Sequence, residues 1–202
     1  SNETGSSNTA NGYQALYSNE TGFGNVAVGI SALYANLTGV NNTAVGNSAL
    51  LNNKGSNNTG LGDNALNSNN TGFSNVSIGI RSLYYNTNRS NLVATKNTAL
   101  GSKALFGNTL GDDNTAVGFS ALKTNTTGVN NTAVGTQALE NFNSGFNNVA
   151  MGVDAMRNKT SGGNNVALGT GAMANNISGG NNTAVGVDAG SASTGSGNVF
   201  LG

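Results

Sequence analysis

The stretch Asn42-Thr43-Ala44-Val45-Gly46-Asn47-Ser48-Ala49-Leu50 decides how this chain folds, because it keeps returning. Its first five residues recur unchanged at 131–135 and 182–186, and the pattern Asn-Thr-Ala-Val-Gly-x-x-Ala-Leu recurs whole at 114–122 and 131–139. With the Gly as marker, the repeat runs through Gly12, Gly29, Gly46, Gly62, Gly79, Gly101, Gly118, Gly135, Gly152, Gly169, Gly186 and Gly202. Eight of the eleven spacings are 17 residues, two are 16 and one is 22. A fixed period of this length is the signature of a repeat architecture, so the chain is read in columns before any element is assigned.

Four residues before the marker stands Asn in every unit: Asn8, Asn25, Asn42, Asn58, Asn75, Asn97, Asn114, Asn131, Asn148, Asn165, Asn182 and Asn198. Three before it is Thr or Val. Two before is small, with Phe200 the exception, and one before is apolar, with Asn11 the exception. Three and four after it come a small residue and then Leu or Met, a pair that degrades to Ala189-Gly190 in the last unit. A second Gly column lies seven before the marker and is broken by Ala94.

Seventeen residues with two short apolar stretches are too few for a helix pair, and Gly and Asn recur too often for one long helix. β-Branched residues beside Gly and Asn suit a strand of four or five residues, a turn, a second short strand at the Ala-Leu pair and another turn. The pattern therefore predicts an all-β chain: a parallel β-solenoid or β-roll of about 12 turns over residues 1–202, each strand pairing with its equivalent in the next repeat. Stacked Asn side chains predict an amide ladder. The Gly columns predict corners that need positive φ or close backbone approach. Thr/Val and Val/Leu share one strand face, Ala and Gly the other, and neither face is polar, which is the pattern of a strand covered on both sides.

Composition supplies the second half of the argument. The 202 residues hold 39 Asn and 31 Gly, and 23 of the apolar residues are Ala, so large core side chains are scarce. Burying a Val or Leu contributes roughly 1.5–3 kcal/mol, against an ordering entropy of ~1–2 kcal/mol per residue. One thin coil has little to set against that cost, and packing three coils around an axis would cover the second strand face; the expectation is an obligate homotrimer. Without His or Cys, imidazole- and thiolate-based nucleophilic, zinc, disulfide and redox sites are excluded. Eight basic and eight acidic residues give no net charge, which speaks against nucleic-acid binding. The apolar runs are too short to insert in a membrane as a helix. No Pro interrupts the N–H groups that a parallel ladder requires.

The repeated Asn-Thr-Ala-Val-Gly-x-x-Ala-Leu units resemble the head repeats of YadA-like trimeric autotransporter adhesins, and more closely the longer-period β-roll repeats of bacteriophage tail-fibre proteins. The resemblance covers the whole chain. It implies a left-handed parallel β-roll assembled as a homotrimeric fibre, a structural, receptor-binding segment of a virion tail fibre that attaches to a host cell-surface glycan or protein receptor. The alternative it implies is a bacterial cell-surface adhesin head. Adhesin heads have units of about 14 residues, and this chain has 17. Without an initiator Met and ending within a motif at Gly202, the chain reads as a fragment of a longer fibre.

No column of acidic residues repeats, and the expectation is no enzyme, no cofactor and no metal. Asp112-Asp113 reads as a solvated turn. Asn-x-Thr/Ser occurs many times, for example at Asn36, Asn69, Asn125 and Asn158, as this composition alone would produce. The 22-residue spacing places a five-residue insertion near 87–91, and Arg81, Tyr84, Tyr85 and Arg89 around it are the candidate receptor-binding residues, since rigid scaffolds present recognition on loops. An inserted loop that the solenoid merely tolerates is the competing reading. Five after the marker, Tyr17, Tyr34, Tyr84 and Phe106 give way to Lys123, Glu140 and Arg157, a column that could stack on sugar rings or pack in the trimer.

Overall fold

The computed structural model describes residues 4–87 and 94–202. They form a parallel β-solenoid of about eleven turns with no helix. Twelve three-residue strands, from Thr9–Asn11 to Val199–Leu201, pair in sequential order in one parallel sheet. The sequence leads one to expect a turn for each of twelve units, but twelve strands bound only eleven coils. The register repeats the sequence columns: Ala27 pairs with Ala44, Thr43 with Thr59, and Ile78 with Leu100 across the long repeat.

The extra residues therefore leave the ladder in register, and their place is bracketed tightly. Asn36 donates to Gly39 O, three residues on, at 2.9 Å. Its equivalent Asn86 donates to Ala94 O, eight residues on, at 3.1 Å. The five added residues lie within 87–93, and of the expected insertion 87–91 only Thr87 falls among the described residues.

The alternation along the strand resolves with the small side inward. The Ala column is fully buried from Ala27 to Ala184, whereas the flanking Thr/Val and Val/Leu side chains are half-buried or exposed. A coil of 17 residues is too thin to hold large side chains from its strand; the space is filled from the other side by Leu33, Leu50, Leu66, Leu83, Leu105 and their equivalents.

Those leucines do not lie on a second strand, as their pattern suggests. They sit in a turn with left-handed φ, 51° at Leu33 and Leu50. A non-Gly residue held there costs roughly 1–2 kcal/mol, and burying the side chain contributes a similar amount or more. The second ladder begins two residues later, where Ser68–Asn69 pairs in parallel with Tyr85–Asn86.

The two glycine columns answer different demands. The marker column has φ near 130°, and a Cβ on Gly46 would stand 2.5 Å from Gly62 O, so both conformation and contact require glycine. In the second column contact alone decides at Gly39, where a Cβ would meet Gly55 O at 2.5 Å, whereas Gly145 and Gly162 further along also have positive φ.

Two departures from the columns compensate each other at the last coil. Gly190 lacks the Leu side chain, and Phe200 replaces the small strand residue; the Phe200 ring lies where a Cβ on Gly190 would be, 2.5 Å from its Cδ2. Leu50 approaches Gly60 in the same way, so Phe200 fills from the strand side the space that other coils fill from the turn.

Candidate functional site: an amide-bonded interior and two unlike faces

The Asn column before the strand is buried from Asn25 to Asn182. Asn42 donates both its backbone N–H and its Nδ2 to Asn25 Oδ1, at 2.9 and 3.2 Å, and its Nδ2 also reaches Gly55 O at 2.9 Å. The same geometry runs to Asn198, whose N–H donates to Asn182 Oδ1 at 3.0 Å.

A second amide ladder, not singled out in the sequence, stands seven residues after the marker. Asn36 donates to Asn19 Oδ1 at 2.9 Å, Asn53 to Asn36 at 3.0 Å, Asn69 to Asn53 at 2.7 Å, and the chain continues through Asn86 and Asn108 to Asn125. The two ladders share acceptors: Gly39 O takes Asn36 and Asn25, each at 2.9 Å. Here Asn36, Asn69 and Asn125, three of the Asn-x-Thr/Ser positions, are buried and bonded in the ladder, so their spacing serves the interior, whereas Asn158 is half-buried and bonds to Asn141 and Asn175 outside it.

The second ladder is broken at two successive coils by Phe142 and Lys159, both fully buried. Phe142 offers no donor, so Asn125 Oδ1 takes the Gly128 N–H instead, at 3.1 Å. Lys159 reaches one coil onward to Asn176 Oδ1 at 2.9 Å and to Gly179 O. Burial pulls its ammonium from 10.5 down to about 8.

Outside, the coil presents two unlike faces. On the strand side the columns around the marker carry Val28, Val45, Leu61, Ile78, Leu100, Val117, Val134, Met151, Leu168 and Val185, joined by Ile30, Ile80, Phe119 and Val153. Ile80 is 56% exposed and Met151 44%. Side chains of this kind stacked rung upon rung form one apolar stripe running the length of the sheet.

The face over the second ladder is mixed. In its N-terminal half Tyr17 stacks on Tyr34 with ring centres 5.4 Å apart, and Tyr84 on Phe106 at 5.3 Å. In its C-terminal half the same column is ionic: Glu140 takes Arg157 Nε at 3.1 Å, Lys123 at 3.4 Å and Gln137 Nε2 at 2.8 Å.

Of the four residues expected to bind a receptor, Tyr84 and Tyr85 meet edge to face at 4.6 Å. Arg81 belongs to a different corner. Its backbone has φ 54°, and its charge acts on Asp63, whose carboxyl is held below its usual value by hydrogen bonds from Asn47 and Asn64 and by Arg81. Arg89 lies outside the described residues. No family model matches this chain, and no curated protein or solved structure is detectably similar to it.

Asp112 of the acidic pair accepts from Thr95 N–H at 2.6 Å and from Thr95 Oγ1 at 3.2 Å, which makes it part of the preceding coil's support. Among the described residues no three acidic side chains cluster as a metal site would require. No helix in them is long and apolar enough to cross a membrane.

Proposed function

We propose that this chain is a segment of a homotrimeric attachment fibre, of the kind its repeats resemble in phage tail fibres and YadA-like adhesin heads, with left-handed coils, and that it binds a host cell surface rather than catalysing a reaction. The apolar stripe on the strand face carries the proposal. Its side chains repeat at the rung spacing of ~4.8 Å, and a second copy of the same chain offers a surface of matching period along the full length. A closed ring of copies covers every stripe, whereas a lone chain leaves Ile80, Leu100 and Met151 in water.

The test is the mass of the purified chain by light scattering after gel filtration, with three times 20.1 kDa expected. A folded monomer overturns the trimer. Labelled protein incubated with whole bacterial cells is expected to be retained on the surface of some strains, and retention on none overturns attachment.

A further inference from the structure

A groove of about 350 Å³ opens over the second ladder, lined by Ala35, Asn52, Lys54, Ser68, Asn70 and Thr87. Its origin is legible in the columns. Five after the marker, Tyr34 and Tyr84 are separated by Leu51 and Asn67 in the two coils between, and Asn67 turns away to donate to Ser48 O at 3.1 Å. In the next position Ala35 and Ser68 are small, and Tyr85 rises beside Ser68, its partner across the ladder. The floor is small and polar, and Tyr85, the ladder partner of the lining residue Ser68, stands beside it at one end.

The Tyr85 ring is rigid. Tyr85 is 45% exposed, yet its ring stands nearly perpendicular to Tyr84 at 4.6 Å and to Phe106 at 5.3 Å, which stack on each other. A ring already fixed by its neighbours loses little freedom when a ligand packs on it. Among the described lining residues Lys54 alone is charged, and it is exposed; the ion pairs of the described residues use Lys123, Arg157, Glu140 and Asp154 and leave Lys54 out.

The lining discriminates between ligand classes. A peptide adding to this surface as a strand would need free backbone groups. Here the backbone donors are spent within the ladder: Ala35 N on Leu51 O at 2.9 Å, Asn52 N on Asn67 O at 2.9 Å, Ser68 N on Tyr84 O at 3.0 Å and Lys54 N on Asn70 O at 2.9 Å. What remains for a ligand is side-chain amide, hydroxyl, ammonium and an aromatic ring. Sugar hydroxyls match the amides and hydroxyls, the C–H face of a sugar ring matches the Tyr85 ring beside them, and the ammonium selects a carboxylate or phosphate substituent.

The geometry points to an anionic oligosaccharide as the ligand of this groove, with its sugar face on Tyr85 and its acidic group on Lys54. This deepens the attachment reading and rests on it. The groove lies over the second ladder and the apolar stripe over the first, so copies packed through the stripe leave the groove open.

The assembled protein is applied to a printed panel of uronate-containing, sialylated and phosphorylated oligosaccharides, each paired with its neutral counterpart. At least one acidic chain is expected to bind about tenfold or more tightly than its partner. Lys54→Ala is expected to erase that preference and Lys54→Arg to keep it, while Tyr85→Ala weakens both partners by about tenfold. Lys96→Ala, a cation in another column, is expected to change nothing; melting curves confirm that each variant is folded. Binding to no acidic chain, unchanged binding by folded Lys54→Ala, or an equal loss in Lys96→Ala overturns the groove. Whole-cell retention is measured in parallel: retention that survives both groove substitutions removes the groove and leaves attachment standing, whereas panel binding without cell retention removes attachment and leaves the groove.

Discussion

At the scale of single residues, the interior asparagines act as backbone-like groups with two donors and an acceptor. Asn131 accepts the N–H and Nδ2 of Asn148, at 3.1 and 3.0 Å, and donates to Asn114 Oδ1 at 3.1 Å and Gly145 O at 3.2 Å. Asn131→Ala leaves the Asn148 N–H buried without a partner, a loss of about 1–3 kcal/mol in the unfolding free energy of the central coils, read from urea titration. Asn8→Ala at the half-buried end of the ladder lets water replace the lost acceptor, and costs less than about 1 kcal/mol.

Lys159 is a second residue-scale case, because burial holds its amine near 8 while in the unfolded chain it returns to 10.5. Below pH 8 both states are protonated and the folded state carries the whole penalty of burying a charge. Between pH 8 and 10.5 the unfolded state binds more protons, so stability rises with pH by about 3 kcal/mol in all, and above 10.5 the gain is complete. Lys159→Asn, which restores the column, is expected to flatten that slope in melts taken from pH 7 to 11. A slope that persists in the variant removes Lys159 as its source.

At the scale of the element, each coil is a strand packed against a turn, and the exchange at Gly190 and Phe200 shows that volume rather than identity is held constant. Phe200→Ala alone leaves that space empty, and Gly190→Leu alone drives a side chain into the Phe200 ring. The double change recreates the Leu-to-small-residue pairing of the other coils. Each single substitution is expected to lower the protection of the Met173 N–H, which is bonded to Ala189 O at 3.0 Å, against hydrogen exchange by about 1–2 kcal/mol, and the double to restore most of it. Additive losses would show that the two positions do not share a space.

This coil was largely legible in the sequence where a column is invariant: the Asn ladder positions, the marker glycines and the parallel register follow from spacing alone. The inward face was not legible, since both strand faces are apolar or small and only the width of the coil sends Ala inside. The leucines pattern as a strand because their left-handed backbone leaves no trace in residue type. The second ladder escaped because Asn seven after the marker reads as a turn residue; the column Asn19, Asn36, Asn53, Asn69, Asn86, Asn108 and Asn125 carries the signal. Around the candidate site, Tyr84 and Tyr85 were found from their place beside the insertion, whereas Lys54 and Ser68 become neighbours of that site only through the stacking of coils.

At the scale of the whole molecule, the chain is a row of coils that touch only their neighbours, so its stability is approximately a sum over repeats and the interfaces between them. The buried interior of each coil amounts to one Ala, one small residue, one Leu or Met and the amide ladders, while larger side chains such as Val134 and Leu100 point outward. Their contribution is realised only when another surface covers them, so folding and assembly are one equilibrium in the proposed trimer. Melting temperature is then expected to rise with protein concentration, because any partner that binds the folded state alone stabilises it by mass action. Val134→Lys, at the middle of the stripe, is expected to abolish the trimer and the melting transition together, whereas Asn52→Lys on the opposite face leaves both intact. A concentration-independent melt, or a Val134→Lys chain that remains folded as a monomer, would show that the Ala–Leu interior and its two ladders suffice without partners.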